Sequence, residues 1–110
     1  MTTRGLITFL PSSARVTSGN SGNGVFIGEN SEAVIYLDVT AASGTTPTLA
    51  VIVEDTIDGT NWDTIASFTQ ATGITREVKR ISNLSRYIRI KYTIGGTTPS
   101  FTFCVRGYIK

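Results

Sequence analysis

The sequence predicts an all-β fold, an antiparallel β-sandwich of about eight strands, jelly-roll-like and in a single domain. Three observations predict it. Apolar residues alternate with period two through several runs, as from Arg86 to Ile94, which is the repeat of a strand with one buried face. No stretch of useful length carries the repeat of an amphipathic helix. Turn-forming tracts punctuate the runs, and one of them, Gly44-Thr45-Thr46-Pro47-Thr48-Leu49, returns almost unchanged as Gly96-Thr97-Thr98-Pro99-Ser100-Phe101.

Two short strands come first, Leu6 to Leu10 and Val25 to Ile27, separated by the Gly/Asn/Ser stretch from Ser18 to Gly24. That stretch reads as a flexible loop. Residues 1–24 are therefore taken as an extended N-terminal segment and loop, and 25–110 as the sandwich. The run from Glu32 to Ala41 sets Ile35, Leu37 and Val39 on a core face. Leu49, Val51 and Val53 do the same after the first Gly-Thr-Thr-Pro tract, while Ala50, Ile52 and Glu54 face outward. Asp58-Gly59 is a tight-turn signal, and Trp62 to Phe68 is the answering strand, with a bulge expected between Ile65 and Phe68 because their parity differs. Thr75 to Ile81 is charged and suits a sheet edge. After a break at Asn83 and Ser85, Ile88, Ile90, Tyr92 and Ile94 share one side. Phe101, Phe103, Val105 and Ile109 do so beyond the second tract.

Proline fixes φ and lacks an N–H, so each Gly-Thr-Thr-Pro tract is expected to be a hairpin loop that opens a strand. The core residues before the two copies stand at different parity from the loop glycine. The echo is accordingly read as one turn solution used twice, in hairpins of different register.

At 110 residues, 40% of them hydrophobic, the chain fits one domain able to bury a core without disulfides or metal. Cys104 is the only cysteine, placed in an alternating run as a half-buried thiol, and cytosolic synthesis is the simpler reading. Met1 to Leu10 has neither a long apolar segment nor a small-residue cleavage site, so no secretory signal or membrane span is expected. The net charge of +2 is uneven. Residues 1–55 carry two cations and five anions, residues 56–110 eight cations and three anions. Because strands from both halves interleave in a sandwich, solvated strand faces explain the imbalance without a basic patch.

There is no histidine, which removes the usual general base near neutral pH and the commonest metal ligand. No catalytic constellation is visible; the expectation is a protein that is not an enzyme and uses no cofactor. Asp55, Asp58, Asn61 and Asp63 concentrate oxygen ligands near the Asp58-Gly59 turn, but their spacing does not match an EF-hand, and a turn capped by Asx hydrogen bonds explains them. Trp62 with Tyr36, Tyr87, Tyr92 and Tyr108 offers flat rings for a sugar; a glycan face would use Trp62, Tyr87 and Tyr108, against the simpler reading of core and cross-strand packing. Tyr87, Arg89 and Lys91 interleave as a single-stranded nucleic-acid platform would, yet a solvent-facing strand shows the same alternation, and nucleic acid is not the expected partner.

Taken together, Leu37-Asp38-Val39-Thr40, the first Gly-Thr-Thr-Pro tract, Leu49 to Asp55, Asp58-Gly59-Thr60-Asn61-Trp62, Arg86 to Tyr92 and Phe101-Thr102-Phe103 resemble small β-sandwich virion proteins of tailed bacteriophages. The resemblance spans about Ile35 to Val105 and rests on strands and turns. It implies a capsid decoration or cement protein, made in the host cytoplasm and resident on the capsid surface of the virion. Its partners would be the major capsid protein and itself, as a homo-oligomer, commonly a trimer. Such a protein needs a rigid body and a segment that crosses a subunit boundary. Arg4, Leu6, Ile7 and Phe9 are the expected capsid contacts and Val34 and Ile52 the expected protomer contacts. The alternatives are a carbohydrate-binding module or another virion component, such as a head-tail connector or tail protein.

Overall fold

The computed structural model describes residues 5–22 and 24–110. They form an all-β sandwich from one antiparallel, hydrogen-bonded sheet of seven strands: β1 (Gly5–Arg15), β2 (Gly19–Asn20), β3 (Val25–Phe26), β4 (Ala33–Thr56), β5 (Asp63–Ser67), β6 (Thr75–Ile81) and β7 (Tyr87–Ile109). β4 and β7 are 24 and 23 residues long. They pair from Ala33↔Ile109 at one end to Thr56↔Tyr87 at the other. Drawn straight at about 3.3 Å per residue, each would reach roughly 75 Å. The longest dimension of the molecule is 43 Å, so the ribbon bends at its middle and its halves close into two layers.

In the first layer β1, the C-terminal half of β7, the N-terminal half of β4 and β6 lie side by side. In the second, β2 and β3 pair with the N-terminal half of β7, which pairs with the C-terminal half of β4, which pairs with β5. The inward residues of both layers make one core, in which Ile35, Leu37, Val39, Leu49, Val53, Ile88, Ile90, Phe101, Phe103 and Val105 are wholly buried. β6 spans the residues expected of it and is a charged edge. The bulge expected between Ile65 and Phe68 sits at Ile65, where Val53↔Ala66 gives way to Glu54↔Thr64.

The Gly-Thr-Thr-Pro tracts are not hairpin loops. Each lies inside a long strand, and the two face one another at the bend, with Ser43↔Ser100, Thr45↔Thr97 and Thr48↔Gly95 in register. Their backbones match: φ is +113° at Gly44 and +109° at Gly96, +46° at Thr46 and +45° at Thr98. A Cβ on Gly44 would stand 2.7 Å from the Thr98 carbonyl oxygen and 2.9 Å from Pro99 Cα; one on Gly96 would meet Thr46 O and Pro47 Cα at the same distances. The corner is a local two-fold built of two copies of one tract, and the prolines fall where the ladder is already interrupted. Beyond it Leu49, Val51 and Val53 match Phe101, Phe103 and Val105 at equal offsets, all buried. On the other arms the parity differs for a visible reason. A bulge at Thr40, between Val39↔Phe103 and Ala41↔Thr102, inserts one residue into β4.

A strand occupies Leu6 to Leu10 as expected, but it is longer and packed into the sandwich. Gly5–Arg15 is an edge strand of the first layer, with Phe9 and Leu10 in the core, because those side chains remain on the inward face across its irregular register. Arg15 pins its end, donating to the Phe103 carbonyl at 2.7 Å and lying over the Phe103 ring. In the Gly/Asn/Ser stretch, of which Asn23 lies outside the described residues, Ser18 and Ser21 are stitched to β7. Ser21 N donates to Ile90 O, and the Ser21 and Ser18 hydroxyls accept from the Ile90 and Ile94 amides. Short polar side chains here satisfy the free edge of a strand rather than a solvated loop.

Gly44→Ala and Gly96→Ala each place a Cβ against immovable backbone at positive φ, and each is expected to cost more than about 2 kcal/mol in urea unfolding. Gly73→Ala, which meets nothing within 4 Å, is expected to change stability by less than about 0.5 kcal/mol.

Candidate binding faces

Outward positions of the second layer carry a stack over an ion pair. Glu54 and Arg89 are cross-strand partners, and Arg89 Nε donates to Glu54 Oε1 at 2.8 Å. Trp62, just before β5, covers that pair, its ring centroid 4.1 Å from the Arg89 guanidinium carbon. The absence of a side chain at Gly24 makes room, since a Cβ there would stand 2.5 Å from the indole. Tyr87 packs on Phe26 with centroids 5.2 Å apart, and Arg86 lies over Phe26. Trp62 is thus half-buried outside the main core, with Arg89 on a ring face. This pairing was hidden in the sequence, because nothing local says that β4 and β7 are neighbours.

At the adjoining turn the Asp58 carboxylate accepts from the Thr60 and Asn61 amides, the Asn61 side chain and the Thr56 hydroxyl. The Asn61 and Thr60 backbone donors, above all, hold its pKa far below the usual carboxylate range. Asp55 is committed elsewhere, accepting from the Ser85 amide at 3.0 Å. The turn uses its acidic oxygens internally, and among the described residues no cluster of three or more acidic or cysteine side chains is arranged to hold a metal.

The outer face of the first layer is different. Register aligns Leu6, Tyr108, Val34 and Arg80 in one cross-strand row. The next row holds Thr8, Arg106, Tyr36 and Val78, and a third Cys104, Asp38 and Arg76. Leu6 is 72% exposed and Tyr108 45%; Val34, Tyr36, Val78 and Cys104 are half-buried. Arg76, Arg80 and Arg106 are exposed and, among the described residues, stand in no ion pair, although Arg76 lies over the Tyr36 ring. Asp38 is the acid among them. Beside the first row opens a cleft of about 290 Å³ lined by Glu32, Ala33, Val34, Arg80, Ile81, Ser82 and Lys110.

The expected site residues therefore regroup. Leu6, Val34 and Tyr108, assigned from the sequence to three different roles, share one row. Ile7 is half-buried and Phe9 lies in the core, so Phe9 is not available for contact; Arg4 lies outside the described residues. Ile52 points outward on the second layer beside Lys91 and Ser67. Trp62 and Tyr87 sit on the second layer and Tyr108 on the first, so the three residues of the expected glycan face do not converge. Sequence reasoning missed the triangle of Arg76, Arg80 and Arg106. Alternation marks Arg76, Val78 and Arg80 as one face of β6, but which strands flank β6 is a long-range fact.

Fold and faces together define a small antiparallel β-sandwich of jelly-roll type with two distinct outer surfaces. No protein-family model and no curated protein matches the chain. Solved structures share its fold. The PBSX exported protein XepA superposes with a TM-score of 0.68 at 14% identity, over 94% of this chain and 36% of that one. The N-terminal cellulose-binding domain of Cellulomonas fimi β-1,4-glucanase C gives 0.54 at 18% identity, over 98% and 78%. A chain of infectious bursal disease virus, Gx strain, gives 0.52 at 16%, over 94% and 31%. The chain spans little more than a third of XepA and less than a third of the viral chain. No helix among the described residues is long and apolar enough to cross a membrane.

Proposed function

We propose that the protein is a virion structural component of a tailed bacteriophage, and within that class a capsid decoration protein that clamps neighbouring major capsid subunits. The outer face of the first layer carries this reading. It is an apolar strip framed by arginines that pair with no acid among the described residues, spread over four strands of one rigid layer, with the composition of a protein-docking surface. Fold likeness to XepA and to a viral chain supports the virion setting. The role needs neither an active site nor a cofactor. Capsid contact runs through Leu6, with Val34 and Tyr108 beside it, in place of a free N-terminal arm. Ile52 on the opposite layer is left for contact between protomers. A trimer joins two unlike patches head to tail, and repeated copies on a lattice add avidity.

Co-sedimentation with expanded and unexpanded capsids tests the proposal. Binding selective for expanded capsids is expected, with Leu6→Glu lowering occupancy at least about tenfold while the circular dichroism spectrum is kept. Wild-type protein that pellets with neither form would end the decoration reading. Deleting residues 2–10 is a poorer test, because it removes Phe9 and Leu10 from the core.

A second reading, glycan binding, is favoured by Trp62, a large aromatic held outside the main core on a layer also presenting Tyr87. The fold is shared with a cellulose-binding domain. On this reading a glycan array gives wild-type signal that Trp62→Ala abolishes with the fold intact; an array blank for the wild type dismisses it.

A further inference from the structure

We infer that the outer face of the first layer docks an acidic protein segment, one that sets carboxylates on both sides of an apolar side chain. The inference rests on the docking role proposed above and names the chemistry of what lies against that face.

Charge is the first argument. Arg76 and Arg80 are four residues apart on β6, about 13 Å along the strand, and Arg106 stands two strands away across β4, about 10 Å. They surround Val34, Tyr36 and Val78, with Asp38 the carboxylate beside them. Exposed guanidinium groups that have no acidic partner among the described residues are suited to bidentate pairing with carboxylates. An apolar centre with cationic corners is matched by the inverse pattern, an apolar side chain with anionic neighbours.

Shape is the second. The cleft of about 290 Å³ opens at the Arg80 end of the Leu6–Tyr108–Val34 row and has apolar walls in Ala33, Val34 and Ile81, with Arg80 and Ser82 on one side and the ion pair of Lys110 with Glu32 on the other. A side chain entering it would leave a flanking carboxylate near Arg80, whose guanidinium is exposed, whereas Lys110 already faces Glu32. The face as a whole, four strands wide and three rows deep, is about 20 Å on a side, the scale of one partner's share of a small protein interface.

Two other occupants fit less well. A second copy meeting this face by a two-fold would set the same arginine triangle against itself, which like-charge repulsion opposes. Single-stranded nucleic acid favours a continuous basic track with stacking rings. Here the arginines stand at separated corners, aliphatic Leu6, Val34 and Val78 occupy the rows, and Asp38 lies among them.

The test is a titration of ¹⁵N-labelled full-length protein with three probes: the peptide Glu-Glu-Leu-Glu-Glu, its Gln-Gln-Leu-Gln-Gln counterpart and a dT oligonucleotide. Shifts clustered on Leu6, Val34, Tyr36, Val78, Arg80 and Tyr108 are expected with the acidic peptide. They should weaken with salt, be at least about tenfold weaker with the glutamine peptide, and vanish in Arg80→Glu/Arg106→Glu. Lys91→Glu, on the other layer, should leave them unchanged. Shifts absent from this face, equal for the two peptides, or stronger with the oligonucleotide would overturn the inference. The titration needs no capsid, so its failure leaves the decoration role standing, and a failure of capsid binding leaves the titration meaningful.

Discussion

At the centre of the molecule Gly44 runs against the backbone of Thr98 and Pro99 while Gly96 runs against that of Thr46 and Pro47. Contacts of 2.7 to 2.9 Å from an imagined Cβ to backbone atoms leave no room for any side chain, and the second threonine of each tract, Thr46 or Thr98, takes positive φ, uncommon for a β-branched residue. Such a conformation costs of order 1–3 kcal/mol and persists where the surroundings determine it. Here they do. The arms on both sides of the corner are tied by long antiparallel ladders and by the buried Val39, Leu49, Phe101 and Phe103. The bend lets a 24-residue strand belong to both layers, so the two halves of the core come from the same pair of strands.

That arrangement also decides what is left outside. With β4 and β7 central in both layers, the remaining strands fall at edges: β1 and β6 flank the first layer, and β5 with the short β2 and β3 flank the second. The edges are managed differently. β6 is charged, whereas β2, β3 and the serines around them cap the free side of β7. The first-layer rows then gather residues distant in sequence, Leu6 beside Tyr108 and Arg106 across from Val78. A face made of side chains from four strands has the stiffness of the sheet beneath it, which is what the proposed docking role asks of it.

Much of the architecture was legible in the sequence and much of the site was not. Period-two alternation marked the buried residues of β4 and β7, and the charge of Thr75 to Ile81 marked an edge. Three features escaped. The Gly-Thr-Thr-Pro echo announced turns, but a proline after glycine and two threonines serves a bent strand as well as a hairpin, and partner choice at long range separates the two. The parity mismatch before the copies looked like a difference of register, whereas one bulge at Thr40 accounts for it. Ser18 to Gly22 read as loose because small polar residues are common in loops, yet their hydroxyls serve equally well as acceptors for an exposed strand edge. The arginine triangle was invisible for the same reason as the corner, since alternation gives the face of a residue and not its neighbours.

The central claim is that the two tracts lie against each other. Nuclear Overhauser effects measured at Gly44 and Gly96 test it most directly. The paired corner predicts strong contacts from the Gly44 α-protons to Thr98 and Pro99 and from the Gly96 α-protons to Thr46 and Pro47. Contacts linking Val39 to Ala42 with Leu49 to Val51, as two separate hairpins would produce, would contradict it.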